Sequence, residues 1–178
     1  MKRARHTLGI LLVLSMSGIV AASEAETSAR AGSRRGQSGT AEAMARYQGD
    51  IGAARTSTQS GRISLARGLA WGLDENGLSL SASHAVAGRR NAVARNFNLT
   101  IGTDGRVAVS GGRSVSVGSR YRSAGAGGLA GSQRGGSYAV SSAHGQSDRR
   151  GVVRTQTYSR SSRRGGLGQV VRRLRSRR

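Results

Sequence analysis

Leu69-Ala70-Trp71-Gly72-Leu73-Asp74-Glu75-Asn76-Gly77-Leu78-Ser79-Leu80 decides the fold class. Two apolar runs flank Asp74-Glu75-Asn76-Gly77, and Asn-Gly readily takes the positive φ angles that a tight hairpin turn requires. Past the turn, Leu78-Ser79-Leu80-Ser81 alternates apolar with small polar residues, the period-two pattern of a strand. Downstream, Gly102-Thr103-Asp104-Gly105 separates Phe97-Asn98-Leu99-Thr100-Ile101 from Val107-Ala108-Val109, and Val115-Ser116-Val117 keeps the alternation. Two hairpins are therefore expected, with Leu69, Trp71, Leu73, Leu78, Leu80, Phe97, Leu99, Ile101, Val107 and Val109 as their core.

A frame of apolar, small, apolar, Ser, small, small, basic occurs at 78–84, 107–113 and 138–144, in steps of 29 and 31 residues. Units of this length that cannot bury a face alone tend to stack. The expectation is a mainly β chain, with stacked hairpins or a short β-solenoid-like centre over residues 61–145.

Outside the centre the composition changes. From residue 26 onward Leu, Ile, Val and Phe number 24, and 15 of them fall within 63–117. The 178-residue chain has 28 glycines, no proline, 3% aromatics and a formal charge of +21. Low hydrophobicity with high net charge is the signature of disorder, so Gly/Ser/Arg-rich flanks are expected to be disordered. Residues 26–60 read as a polar linker with a short helix at about 40–48. Thr40 would cap it, Glu42 and Arg46 would pair, and Met44, Tyr47 and Ile51 would share a face. Residues 26–39 and 119–136 have almost nothing to bury.

Residues 1–25 carry the marks of a secretory signal peptide: Lys2, Arg3 and Arg5 precede an apolar run from Leu8 to Val20. At 1.5 Å per residue that run reaches only about 20 Å, short of the roughly 30 Å of a bilayer core. Val20-Ala21-Ala22 and Ser23-Glu24-Ala25 are the candidate cleavage sequences.

Residues 146–178 form a basic tail. From 149 onward Arg149, Arg150, Arg154, Arg160, Arg163, Arg164, Arg172, Arg173, Arg175, Arg177 and Arg178 are accompanied by no acid, which makes them the candidate polyanion contacts. Within 167–175, Leu167, Val170, Val171 and Leu174 fall at i, i+3, i+4 and i+7, one stripe of a short basic amphipathic helix suited to a membrane. The implied partners are anionic lipids, lipopolysaccharide-like surfaces or extracellular polyanions. Nucleic acid would be bound only non-specifically, through Arg134-Gly135-Gly136 and Arg164-Gly165-Gly166.

Catalytic chemistry finds no support. The absence of cysteine excludes disulfides, thiolate nucleophiles and Cys-type metal sites. His84 and His144 stand sixty residues apart, no Gly-x-Ser-x-Gly elbow is present, and no acidic cluster has the spacing of a calcium loop. No cofactor, metal or catalytic residue is expected.

Ser114-Val115-Ser116-Val117-Gly118-Ser119 and the Gly/Ser/Ala sequence to Ser132 resemble the short repeats in the heads of trimeric surface adhesins. The arginine-rich terminus departs from their membrane-inserted barrel segment, so the resemblance carries over neither trimerisation nor anchoring. The functional expectation is a small exported interaction protein, not an enzyme. Its rivals are a matrix component that self-associates through strand edges and a precursor of a membrane-active basic peptide.

Overall fold

The computed structural model describes residues 22–133, 136–148 and 151–162. These form ten strands: β1 Ala22–Arg34, β2 Thr40–Gln48, β3 Ile51–Gln59, β4 Ser64–Asp74, β5 Gly77–Ala87, β6 Asn91–Gly102, β7 Val107–Val117, β8 Tyr121–Gln133, β9 Gly136–Ser147 and β10 Val152–Ser162. One sheet has the order β2-β1-β8-β9 and the other β10-β7-β6-β5-β4-β3, with every pairing antiparallel. The chain passes between sheets after β2, β7 and β9.

Both expected hairpins are present. Asp74 pairs with Gly77 across the first, where positive φ is confined to Gly77 at 141°, and no non-glycine residue adopts it. The Asp74 carboxylate accepts from the amides of Asn76 (2.8 Å) and Gly77 (3.1 Å), so the aspartate side chain supplies the turn. In the second, Gly105 has φ 77° and donates to the Gly102 carbonyl at 3.0 Å.

The sequence reading is corrected in three places. Thr40–Gln48 is strand β2, not a helix, because its small inward residues pack as a sheet edge against the alanine cluster. Residues 26–39 and 119–136 are not linkers: they contribute β1 and β8, the two central strands of the smaller sheet. Of the ten residues expected as core, Val107 and Val109 are buried, while Leu69 and Leu73 are exposed and Trp71, Leu78, Leu80, Phe97, Leu99 and Ile101 half-buried, all on the side of the sheet away from the other layer.

That inversion follows from how closely the sheets approach. Cα atoms of β1 lie within 8 Å of atoms in β4 and β5, and those of β8 within 8 Å of β5 and β6. Packed sheets ordinarily stand about 10 Å apart. Here the facing positions are alanine, serine, glycine, threonine and asparagine: Ala66, Ala70, Ser79, Ser81, Ala85, Ala94, Asn98 and Thr100 are all buried. A Cβ on Gly72 would sit 2.6 Å from the Gln48 carbonyl oxygen of the opposite sheet, and one on Gly68 would sit 2.8 Å from that of Met44. Leucine or tryptophan does not fit this gap.

The outer face of the larger sheet holds them instead. Leu73, Leu78, Ile101 and Val107 form one cross-strand row, and Trp71, Leu80, Leu99 and Val109 a second. Leu69, Ala82 and Phe97 lie in a third. Val107 and Val109 are buried, but Leu69 and Leu73 are 47% and 40% exposed.

The interior is held by polar contacts as well as by its alanine cluster. Ser81, Ser110 and Ser141, the fourth residue of each copy of the sequence frame, converge on Asn98. Asn98 Oδ1 accepts from Ser81 Oγ at 2.6 Å, and its Nδ2 lies 3.1, 2.7 and 3.0 Å from Ser110 Oγ, Ser141 Oγ and the Val140 carbonyl. Ser23 and Ser79, and Thr27 and Ser81, join the two sheets through hydroxyl contacts of 2.8 Å.

Two contrasts test this arrangement by urea unfolding. Gly72→Val is expected to cost about 1–3 kcal/mol by forcing the sheets apart, whereas Leu69→Ser on the outer face stays within about 0.5 kcal/mol. The opposite order would place the core on the other side of the sheet. Asn98→Ala should cost roughly 1–3 kcal/mol because the buried hydroxyls of Ser81, Ser110 and Ser141 each lose one of their partners. Ser116→Ala, which removes a buried hydroxyl without a hydrogen-bond partner, should be neutral or stabilising.

Candidate anion-binding end

Because successive strands run up and down, alternate connections fall at opposite ends of the molecule. One end receives the β1–β2, β3–β4, β5–β6 and β7–β8 turns, which carry Arg34 and Arg35, Arg62, Arg89 and Arg90, and Arg120. The β9–β10 connection also lies there, with Asp148; its Arg149 and Arg150 are outside the described residues. The other end receives Asp50, Asp74, Glu75 and Asp104, and Asp104 pairs with Arg106 at 3.0 Å. Among the described turn residues arginine therefore gathers at one end and acid at the other, with Arg106 and Asp148 as the exceptions; Arg134 of the β8–β9 turn lies outside the described residues.

Backbone hydrogen bonds connect the arginine-bearing turns. Arg35 N donates to the Arg120 carbonyl at 2.8 Å, Gly118 N to that of Arg90 at 3.3 Å, and Gly39 N to that of Gly61 at 3.1 Å. Beneath them lies Arg122, 2% exposed, between the sheets. Its Nε donates to the Gly88 carbonyl (2.6 Å), Nη1 to that of Gly118 (3.1 Å) and Nη2 to Ser33 Oγ (3.0 Å). A buried guanidinium needs such partners, and these tie β1, the β5–β6 turn and the end of β7 into one platform. Asp148 accepts from Arg120 N at 2.6 Å and from Ser119 Oγ at 3.2 Å, which closes the rim.

The result is a cleft of about 860 Å³ lined by Arg34, Arg35, Arg62, Arg89, Arg90 and Arg122, together with polar and glycine residues of the turns. Guanidinium groups from separate turns converge there without an acid in the lining, an arrangement whose forked donors match phosphate or carboxylate oxygens.

Of the tail residues read as polyanion contacts, the structure describes Arg154 and Arg160, both exposed on the outer face of edge strand β10. Arg149, Arg150, Arg163, Arg164, Arg172, Arg173, Arg175, Arg177 and Arg178 lie outside the described residues, as do Leu167, Val170, Val171 and Leu174. The basic end escaped the sequence reading because its arginines are scattered as singles and pairs between strands. The alternation of Arg turns with Asp turns was the available signal.

His84 and His144 stand on opposite sheets, and no group of three or more potential metal ligands occurs among the described residues. The alternating segments 78–88 and 107–118, the low-charge stretches that strand-edge association would use, fall on β5 and β7, each hydrogen-bonded on both sides. No family model matches the chain, and comparisons with curated proteins and solved structures give no significant match.

Both histidines titrate below their ordinary value of 6.5. Burial is the main cause for each, followed for His84 by Arg95 and Arg67 and for His144 by Arg30. The unfolded chain therefore binds more protons in the window just below pH 6.5. The stability linked to these groups is fully present above that pH and is lost as pH falls through the depressed folded values. Thermal melts should show a midpoint that declines on acidification through this range, and the decline should shrink in His84→Gln and His144→Gln.

Proposed function

We propose that this chain is an exported, non-enzymatic protein that binds anionic polymers of the cell envelope or its surroundings through the arginine-lined end. The observation that carries the reading is the partition of charge among the described turns: Arg34, Arg35, Arg62, Arg89, Arg90 and Arg120 lie at one end, whereas Asp50, Asp74, Glu75 and Asp104, with Arg106, lie at the other. A polarised charge distribution orients an approaching polyanion toward the basic end and raises the rate of encounter. Arginine suits this task because its planar fork meets phosphate and carboxylate oxygens in pairs. Binding of this kind is electrostatic, tolerant of polymer type and steeply dependent on salt.

Polyphosphate titrated into the full chain at rising salt is the direct test. The combined variant Arg35→Ser, Arg62→Ser, Arg89→Ser and Arg90→Ser should weaken binding by about tenfold or more at physiological salt and flatten the salt slope. Unchanged affinity and slope in a folded variant would remove the cleft from the interaction.

Export is inferred from the basic, apolar and small-residue segments in series within residues 1–25. Of the two cleavage sequences, the packing of β1 favours the first. Ser23 and Ala25 are fully buried, Ser23 bonds Ser79, and Glu24 accepts from the Tyr138 hydroxyl. Cutting after Ala22 keeps these residues on β1, whereas cutting after Ala25 removes them from the middle of a sheet. Mass spectrometry of the secreted protein is expected to find Ser23 at the N-terminus; a chain starting at Glu26 would overturn this assignment.

A further inference from the structure

The outer face of the larger sheet places the three apolar rows beside a cationic row, in which Arg67, His84, Arg95 and Arg113 are cross-strand neighbours. Arg55, Arg154 and Arg160 flank it on the edge strands β3 and β10. All six arginines are exposed, and no outward position of this sheet is acidic. At about 4.8 Å per strand, six strands give a surface about 24 Å wide. Most of the large apolar side chains among the described residues lie on it, including the chain's only Trp and only Phe. The outer face of the smaller sheet is different in kind, with Glu24, Glu26 and Glu42 opposite Gln48, Arg46 and Arg30.

We infer that the outer face of the β10-β7-β6-β5-β4-β3 sheet is a docking surface for an anionic lipid membrane. An apolar face on which Leu69 and Leu73 are exposed and Trp71, Leu78, Leu80, Phe97, Leu99 and Ile101 are half-buried marks a partner, and charge selects which one. A second copy brought face to face would set six arginines against six arginines, and a soluble polymer would leave the apolar rows in water. An anionic bilayer meets both demands, because acyl chains and glycerol backbones receive the apolar rows while lipid phosphates meet the guanidinium groups. Arginine stems can lie along the apolar surface and still reach the headgroups. Trp71 is an aromatic ring of the kind that favours the membrane interface. A groove of about 640 Å³ beside the cationic row, lined by Arg55, Arg67 and His84 with Leu65, Leu69 and Val86, has the mixed lining that a headgroup and the start of its chain require. This surface is distinct from the arginine-lined cleft, so the two assignments stand separately.

Trp71 is an intrinsic reporter at the surface itself. With the full chain, phosphatidylglycerol-containing vesicles should shift its emission to the blue and allow quenching by lipids brominated on the acyl chains. Pure phosphatidylcholine vesicles and polyphosphate should do neither. Arg67→Glu combined with Arg95→Glu, both exposed changes, should lower vesicle binding by about tenfold or more while leaving polyphosphate binding at the cleft in place. The combined Arg35, Arg62, Arg89 and Arg90 variant should retain the emission shift. Vesicle binding without a change in Trp71 would overturn the inference and assign the contact to another part of the chain. A lipid-free blue shift that grows with protein concentration, together with a dimer in sedimentation, would overturn it in favour of a second copy.

Discussion

The separation of the two sheets governs the rest of this structure. With Cα atoms of facing strands within 8 Å of one another, the space between the layers admits a methyl, a hydroxyl or a hydrogen, and little else. A chain of Gly, Ala and Ser can meet that condition along almost its whole length. The period-two alternation of β4, β5, β6 and β7 then sends every second residue to the outside, and those residues include the large ones. The polar interior and the apolar exterior of the larger sheet are two consequences of one spacing.

Such an interior is stabilised differently from one built on leucine and phenylalanine. Each alanine removes little apolar area from water, so hydroxyl and amide groups carry part of the cohesion. Asn98 and the hydroxyls of Ser81, Ser110 and Ser141 form a closed set in which the contacts between Asn98 and its partners are 3.1 Å or shorter. Such contacts are directional where hydrophobic packing is not, and a one-residue slip of any strand would break them and turn large side chains into the gap. Register is therefore specified from both faces at once. The single guanidinium admitted between the sheets, Arg122, sits where the turns supply carbonyl and hydroxyl acceptors, so its burial follows the same rule.

The strand character of the centre and the positions of its hairpins were legible in Asp74-Glu75-Asn76-Gly77 and Gly102-Thr103-Asp104-Gly105, since turn chemistry is local. The phase of the alternation was not. Leu78-Ser79-Leu80-Ser81 has two readings related by a shift of one residue, and choosing leucine for the interior assumes sheets at ordinary separation. The flanks were misread for a related reason. Ala22–Arg34 and Tyr121–Gln133 contain too little large apolar surface to look foldable, yet their small residues are what a narrow gap requires. Arginine in the tail was conspicuous because it is dense, whereas arginine in alternate turns becomes a cluster only when strand direction is taken into account.

The position of β10 adds a further consequence. It ends at Ser162, at the acidic end of the molecule, so the arginine-rich sequence that follows is attached opposite the arginine-lined cleft. Strand β10, of 11 residues, places the two attachment points about 35 Å apart at roughly 3.3 Å per residue. On the proposed polyanion reading, a polymer that meets both the cleft and the chain beyond Ser162 makes its second contact intramolecularly, so effective concentration favours it over two independent encounters.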